Sequence, residues 1–141
     1  MVAYYILGSV DSCDYSHNHK LDMRKISKLA ACAFINERKF SRDNTTVRSF
    51  PTIAGKMTEL YLHGNTIARK RGGKIHLSLA GWGTMTTRER LNTLLSEMNS
   101  NLRFHQYKHE QYVWCIGGDS PSKHIDARAW YLLEDTGLSE L

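Results

Sequence analysis

The chain has 141 residues, 41% of them hydrophobic and 23% charged, which suits one globular domain and argues against disorder. With 19 Lys+Arg against 14 Asp+Glu the formal charge is +5, and 10 glycines with 2 prolines exclude collagen-like and proline-rich classes. No window approaches the roughly 20 apolar residues of a membrane span, Met1 to Val10 lacks a basic lead and a cleavage site, and no segment repeats, so an unexported protein without solenoid architecture or membrane partner is expected.

Cys13, Cys32 and Cys115 are odd in number and never in C-x-x-C spacing. Neither a disulfide framework nor a cysteine zinc site is favoured, and a reducing cytosol is the expected setting.

In chain order, Val2 to Leu7 is β-branched and aromatic and closes at Gly8-Ser9, a short strand, and Val10 to Lys20 is a polar loop. Asp22 can cap a helix to about Asn36, because Met23, Ile26, Ala30, Ala33 and Phe34 share one 3.6-residue face. Thr45 to Phe50, Glu59 to His63, Thr66 to Arg69 and Lys74 to Leu79 read as strands of an antiparallel meander, turned at Gly64-Asn65 and Gly72-Gly73. A second helix starts at Thr86 or Thr87, where Thr86-Thr87-Arg88-Glu89 fits a capping box and Leu91, Leu94, Leu95 and Met98 form an apolar stripe. Leu102 to Tyr107 and Gln111 to Ile116 flank a turn at Lys108-His109-Glu110, and Ala127 to Leu133 is either a helix or a last strand. The sum is an α+β fold, a mostly antiparallel sheet (β-meander plus C-terminal hairpin) covered by two helices.

Charge is unevenly spread: residues 1–118 carry 17 basic and 9 acidic side chains, residues 119–141 carry 2 and 5. This divides the chain into a single basic domain, 1–118, and an acidic C-terminal extension, 119–141. Cations also stand where a helix dipole disfavours them, Arg24 and Lys25 in the first helix and Arg88 and Arg90 in the second. An anion held at those N-termini would offset the cost. Solvated polar faces, with Glu89 supplying the favourable charge, explain the same pattern. Arg69, Lys70, Arg71 and Lys74 surround a glycine turn as a basic finger suited to phosphates, and Tyr61, Trp82, Tyr107, Tyr112 and Trp114 are aromatics that could stack on unpaired bases.

Catalytic and cofactor signals are missing. The seven histidines show no H-E-x-x-H pattern, and His63 with His76 on a polar sheet face would make two ligands at most, so no metal and no cofactor is expected. There is no nucleophile elbow and no phosphate-cradling glycine motif. Cys32 reads as core. An enzyme is therefore unsupported, a nuclease built on histidines and the Asp11/Asp14 loop being the form one would take.

The stretch Thr58-Glu59-Leu60-Tyr61-Leu62-His63-Gly64-Asn65-Thr66-Ile67-Ala68, followed by Ala80-Gly81-Trp82-Gly83-Thr84-Met85-Thr86-Thr87-Arg88-Glu89-Arg90-Leu91-Asn92, resembles a family of small uncharacterised bacteriophage proteins. In that family a short meander leads into an A-G-W-x-[ST]-x-T-T-[KR]-x-R-[LI]-N helix start and a closing hairpin with an aromatic pair, here Tyr112-Val113-Trp114. Asn44-Thr45-Thr46-Val47 resembles its entry strand, so the likeness spans residues 40 to 116. It implies a phage origin and the host cytoplasm, and no reaction. The motif places Trp82 where the last meander strand turns into the helix, with Arg88 and Arg90 pointing outward and Asn92 either in a phosphate- or base-reading cluster or tying the helix to the meander.

The expected function is a phage-encoded, non-enzymatic nucleic-acid-binding protein, with Arg69, Lys70, Arg71, Lys74, Arg88, Arg90, Arg24 and Lys25 meeting phosphates of DNA or RNA. The alternative is a phage inhibitor whose basic surface binds an acidic host protein, such as a defence nuclease, a CRISPR effector or a polymerase.

Overall fold

The computed structural model of the chain describes residues 23–118, 121–135 and 137–141. The strand expected at 2–7, the loop at 10–20 and the Asp22 cap lie outside them. In chain order come α1 (Met23–Ile35), β1 (Phe40–Arg42), β2 (Thr45–Thr52), β3 (Gly55–Leu62), β4 (Asn65–Arg71), β5 (Lys74–Leu77), α2 (Met85–Glu97), β6 (Leu102–Tyr107), β7 (Glu110–Cys115), β8 (Lys123–Ile125), β9 (Tyr131–Glu134) and β10 (Gly137–Glu140). Seven strands form one sheet in the order β1-β2-β3-β4-β5-β9-β10, and β6-β7-β8 form a second; every described pairing is antiparallel. The architecture is α+β, with two helices and a mostly antiparallel sheet.

Hairpin chemistry sets the meander. His63-Gly64 (φ 52° and 81°) and Gly72-Gly73 (φ 59° and 78°) put two consecutive residues in the left-handed region, the geometry that matches strand twist in two-residue turns. The first of these turns therefore sits one residue earlier than Gly64-Asn65. Strand β2 runs on through Pro51, beyond the Phe40↔Val47 pair where β1 stops, so the missing proline N–H is tolerated on an edge.

Strand alternation sorts the residues of the large sheet. Val47 opposite Leu60, Thr45 opposite Leu62 and Ala68 opposite Leu77 face the helices and join Ala30, Phe34, Leu91, Leu94 and Leu95 in the core. Both helices lie against this inner face, and α2 also packs on β6 of the small sheet, whose Leu102, Phe104, Val113 and Ile125 complete the core.

Helix α2 begins at Met85, capped by Thr84, whose Oγ1 accepts from the Thr87 amide at 3.2 Å. The cap expected at Thr86 or Thr87 is thus corrected: Thr87 turns inward, and its hydroxyl meets that of Thr84 at 3.0 Å. The stretch 127–133 ends in a strand, since Tyr131–Glu134 pairs with β5 and β10. The acidic C-terminal residues thereby supply β8 to the small sheet and β9 and β10 to the large one.

Cys32 is fully buried on α1, the core position expected for it, and Cys115 is half-buried and free. Among the described residues no helix is long and apolar enough to cross a membrane.

Candidate nucleic-acid interface

The basic finger is split by the two-residue period of its strand. Thr58 faces Lys70 on the inner side, where Lys70 Nζ binds the Ile35 carbonyl at 3.2 Å and Glu37 at 3.1 Å. That contact, reinforced by Lys56 at 3.6 Å, holds the Glu37 carboxyl below its ordinary range, with the Lys70 hydrogen bond the main cause and partial burial opposing it. Lys70 is therefore a structural cation at the end of α1. Arg69 and Arg71 turn the other way, to the face that no described helix or strand covers, and Lys74 joins them from across the hairpin, opposite Arg71.

This outer face carries aromatic rings between its cations. Arg48 on β2 lies over both Phe50 and Tyr61, its Cζ 5.9 Å from each ring centroid. Arg69 lies over Trp130 at 4.8 Å, within the reach of cation–π attraction. Between them sits Glu59, only 8% exposed, with both carboxylate oxygens occupied: one accepts from Tyr61 Oη, the other from Arg69 Nε at 2.9 Å. Desolvation and the Glu59 carboxylate together push the Tyr61 phenol upward. Across from Arg69 stands His76, held below its ordinary pKa first by burial and then by Arg69, Lys74 and Arg71. Arg48, Arg71 and Lys74 have no carboxylate partner among the described ion pairs.

The helix-start cations are elsewhere. Arg90 was expected to point outward; it is 2% exposed, and its guanidinium donates to Thr45 Oγ1 at 2.9 Å, Ser27 Oγ at 2.7 Å and Asn44 Oδ1 at 3.2 Å. Six residues after the actual cap, it lies on the side of the helix that faces α1 and β2. Arg88 is half-buried, with Nη1 donating to the Gly83 carbonyl at 2.8 Å and to the amide oxygens of Gln106 at 3.1 Å and Gln111 at 3.2 Å. Burial lowers the pKa of both guanidinium groups. Arg24 is exposed and Lys25 half-buried in the first turn of α1, on the inner layer, about 15 Å along the helix from the Ile35 end where Lys70 is bound. Of the eight cations, Arg69, Arg71 and Lys74 share a face, and the other five do not join them there.

Sequence reading missed Arg48, Phe50 and Trp130. The first two were legible in principle, because they alternate with the inward Thr45 and Val47; Trp130 sat in a segment whose pattern fitted helix and strand alike. Trp82 lies 59% exposed at the mouth of a pocket lined by Leu62, Ile67, Leu79 and Thr87, rather than packed into the turn. Tyr112 and Trp114 lie on the small sheet, where His105 stacks on Tyr112 at 5.5 Å and Trp114 meets that histidine edge-on. Asn92 ties α2 to β6, not to the meander. His63, in the β3–β4 turn near Asn44, is six residues from Arg69, the cross-strand partner of His76, so the two histidines do not share a site. No group of three or more His, Cys, Asp and Glu suited to a metal occurs among the described residues, and Asp11 and Asp14 lie outside them.

Nothing among curated proteins or solved structures matches the chain. Residues 23–131, which hold both helices, the whole meander and the small sheet, match the family model described as Kyanoviridae Gp96 protein, and the chain belongs to that phage protein family.

Proposed function

We propose that this phage protein binds nucleic acid, contacting phosphates with Arg48, Arg69, Arg71 and Lys74 on the outer face of the large sheet, in the host cytoplasm. One observation carries the reading: four cations share one face that no described helix or strand covers, while its central carboxylate, Glu59, is occupied by Tyr61 and Arg69. A solvated surface of this kind keeps a net positive field, and a polyanion releases its counterions on binding there. Relative to the sequence-based expectation, the contact moves from hairpin plus helix terminus to hairpin plus sheet face, because Arg90 and Lys70 are engaged internally.

The test is fluorescence anisotropy with labelled single- and double-stranded DNA and RNA at 50 to 200 mM salt. About four phosphate contacts correspond to a loss of affinity of roughly 50- to 150-fold over that range. The variant Arg71→Ala/Lys74→Ala should reduce the log–log salt slope by about 1.4 to 1.8. Absence of binding to every probe, or an unchanged slope in the variant, overturns the reading, as does retention of a host protein in place of nucleic acid after nuclease treatment of a lysate.

A further inference from the structure

We infer that the occupant of the outer sheet face is a single-stranded nucleic acid whose bases stack on Phe50, Tyr61 and Trp130 and on the Arg48 and Arg69 guanidinium groups beside them. The inference rests on the proposed function and names its substrate class.

Phosphate contact alone needs cations and no rings. Here cations of the outer face stand beside rings: Arg48 on β2 beside Phe50 of the same strand and Tyr61 of β3, and Arg69 on β4 beside Trp130, which immediately precedes β9. Phe50, Tyr61 and Trp130 are each half-buried, so part of each side chain remains accessible to solvent. A guanidinium beside a ring is itself planar, and unpaired bases stack on both kinds of group. A duplex keeps the faces of its bases inside the stack and presents only edges and backbone, so it cannot use such rings.

Dimensions agree with a short strand. From β2 to β9 the face crosses β3, β4 and β5, about 19 Å at the usual strand spacing. That suits the lower end of the roughly 4 to 16 nucleotides taken by stacking platforms. The charges are complementary in the same order, with Arg48 at one side, Arg69 in the middle and Arg71 and Lys74 at the hairpin tip. His76, kept toward its neutral form, adds a ring in the middle of the cations without adding charge.

The experiment measures affinity for dT12, rU12 and a 12-base-pair DNA duplex at one salt concentration, in the parent, Trp130→Leu, Trp130→Phe and Arg71→Ala/Lys74→Ala. The expected result is at least tenfold tighter binding of one or both single strands than of the duplex. Trp130→Leu should weaken single-strand binding about 5- to 100-fold, and Trp130→Phe should retain most of it. Phe50→Leu, on the part of β2 that runs past β1, repeats the measurement if Trp130→Leu does not fold by circular dichroism. Duplex binding as tight as single-strand binding, with ring variants unchanged and the cation variant still weakened, overturns the stacking inference and leaves phosphate binding standing. No binding to any of the three probes removes both.

Discussion

Arg90 donates from Nε to the Thr45 hydroxyl at 2.9 Å in the fully buried interior, and with Ser27 at 2.7 Å the same guanidinium joins α2 to both β2 and α1. A charge is buried only where its donors are met, and among the described residues a fork of fixed geometry reaches acceptors on α1, on β2 and in the β1–β2 turn. Arg90→Ala would take the guanidinium donor from Ser27 and leave a void there, while Thr45 keeps its own bond to Asn44 at 2.8 Å, and it should cost about 3 kcal/mol or more. Arg90→Lys should recover only part, since one ammonium cannot reach all three acceptors. Urea denaturation of both variants measures this; an unchanged midpoint for Arg90→Ala would show that the buried bonds contribute no net stability.

Asn92 closes a two-bond ring with the backbone of Phe104, accepting from its amide at 2.7 Å and donating to its carbonyl at 2.9 Å. An amide is the side chain that presents a donor and an acceptor side by side to a strand edge. Asn92→Ala and Asn92→Asp should each destabilise by about 1 to 3 kcal/mol, the second because a carboxylate cannot donate to the carbonyl. The amide of Phe104 should exchange faster with deuterium in Asn92→Ala than in the parent, while amides of β3 keep their protection.

The fold was largely legible where periodicity is strong. Leu91, Leu94 and Leu95 define α2, and Leu60, Leu62 and Leu77 define the inner face of the sheet, because each burial pattern matches one geometric period. Boundaries moved where two residues of one type compete, as Thr84 took the cap from Thr86 and Thr87. The site was legible only in part. Clustering in sequence suggested one basic finger, yet adjacent strand residues face opposite ways, so Lys70 left the group that Arg69 and Arg71 kept. Arg48 and Trp130 join it through pairings across five strands, and long-range register is not written in any local window.

Gly83 has no room for a side chain: a Cβ there would stand 2.5 Å from Gln111 Nε2 and 2.7 Å from its Cδ. Gln111 is itself buried and bonded to Gln106 at 2.9 Å and to Arg88 at 3.2 Å. Gly83→Ala should therefore expel that amide and destabilise by about 1 to 3 kcal/mol. Adding Gln111→Ala removes the clash, so the double variant should lose less than the two single losses combined. Additive losses would place the strain at the Gly83 backbone instead.

His76 makes stability depend on pH through a single sign. Its folded pKa lies below the ordinary value near 6.5, chiefly through burial and then through Arg69, Lys74 and Arg71, so between the two values the unfolded chain binds the extra proton. Stability should rise with pH through that window, be fully present above about 6.5 and fall as the pH drops toward the folded value. The depressed carboxyl of Glu37 acts in the same direction, but its losses begin below the unfolded carboxyl value near 4.3, which separates the two effects. Urea midpoints of the parent and of His76→Gln between pH 5 and 7.5 should diverge toward neutral pH and converge toward acid in favour of the variant. Parallel curves across that range would mean that the imidazole meets the same environment folded and unfolded, and the crowding of cations around it would then have no energetic consequence.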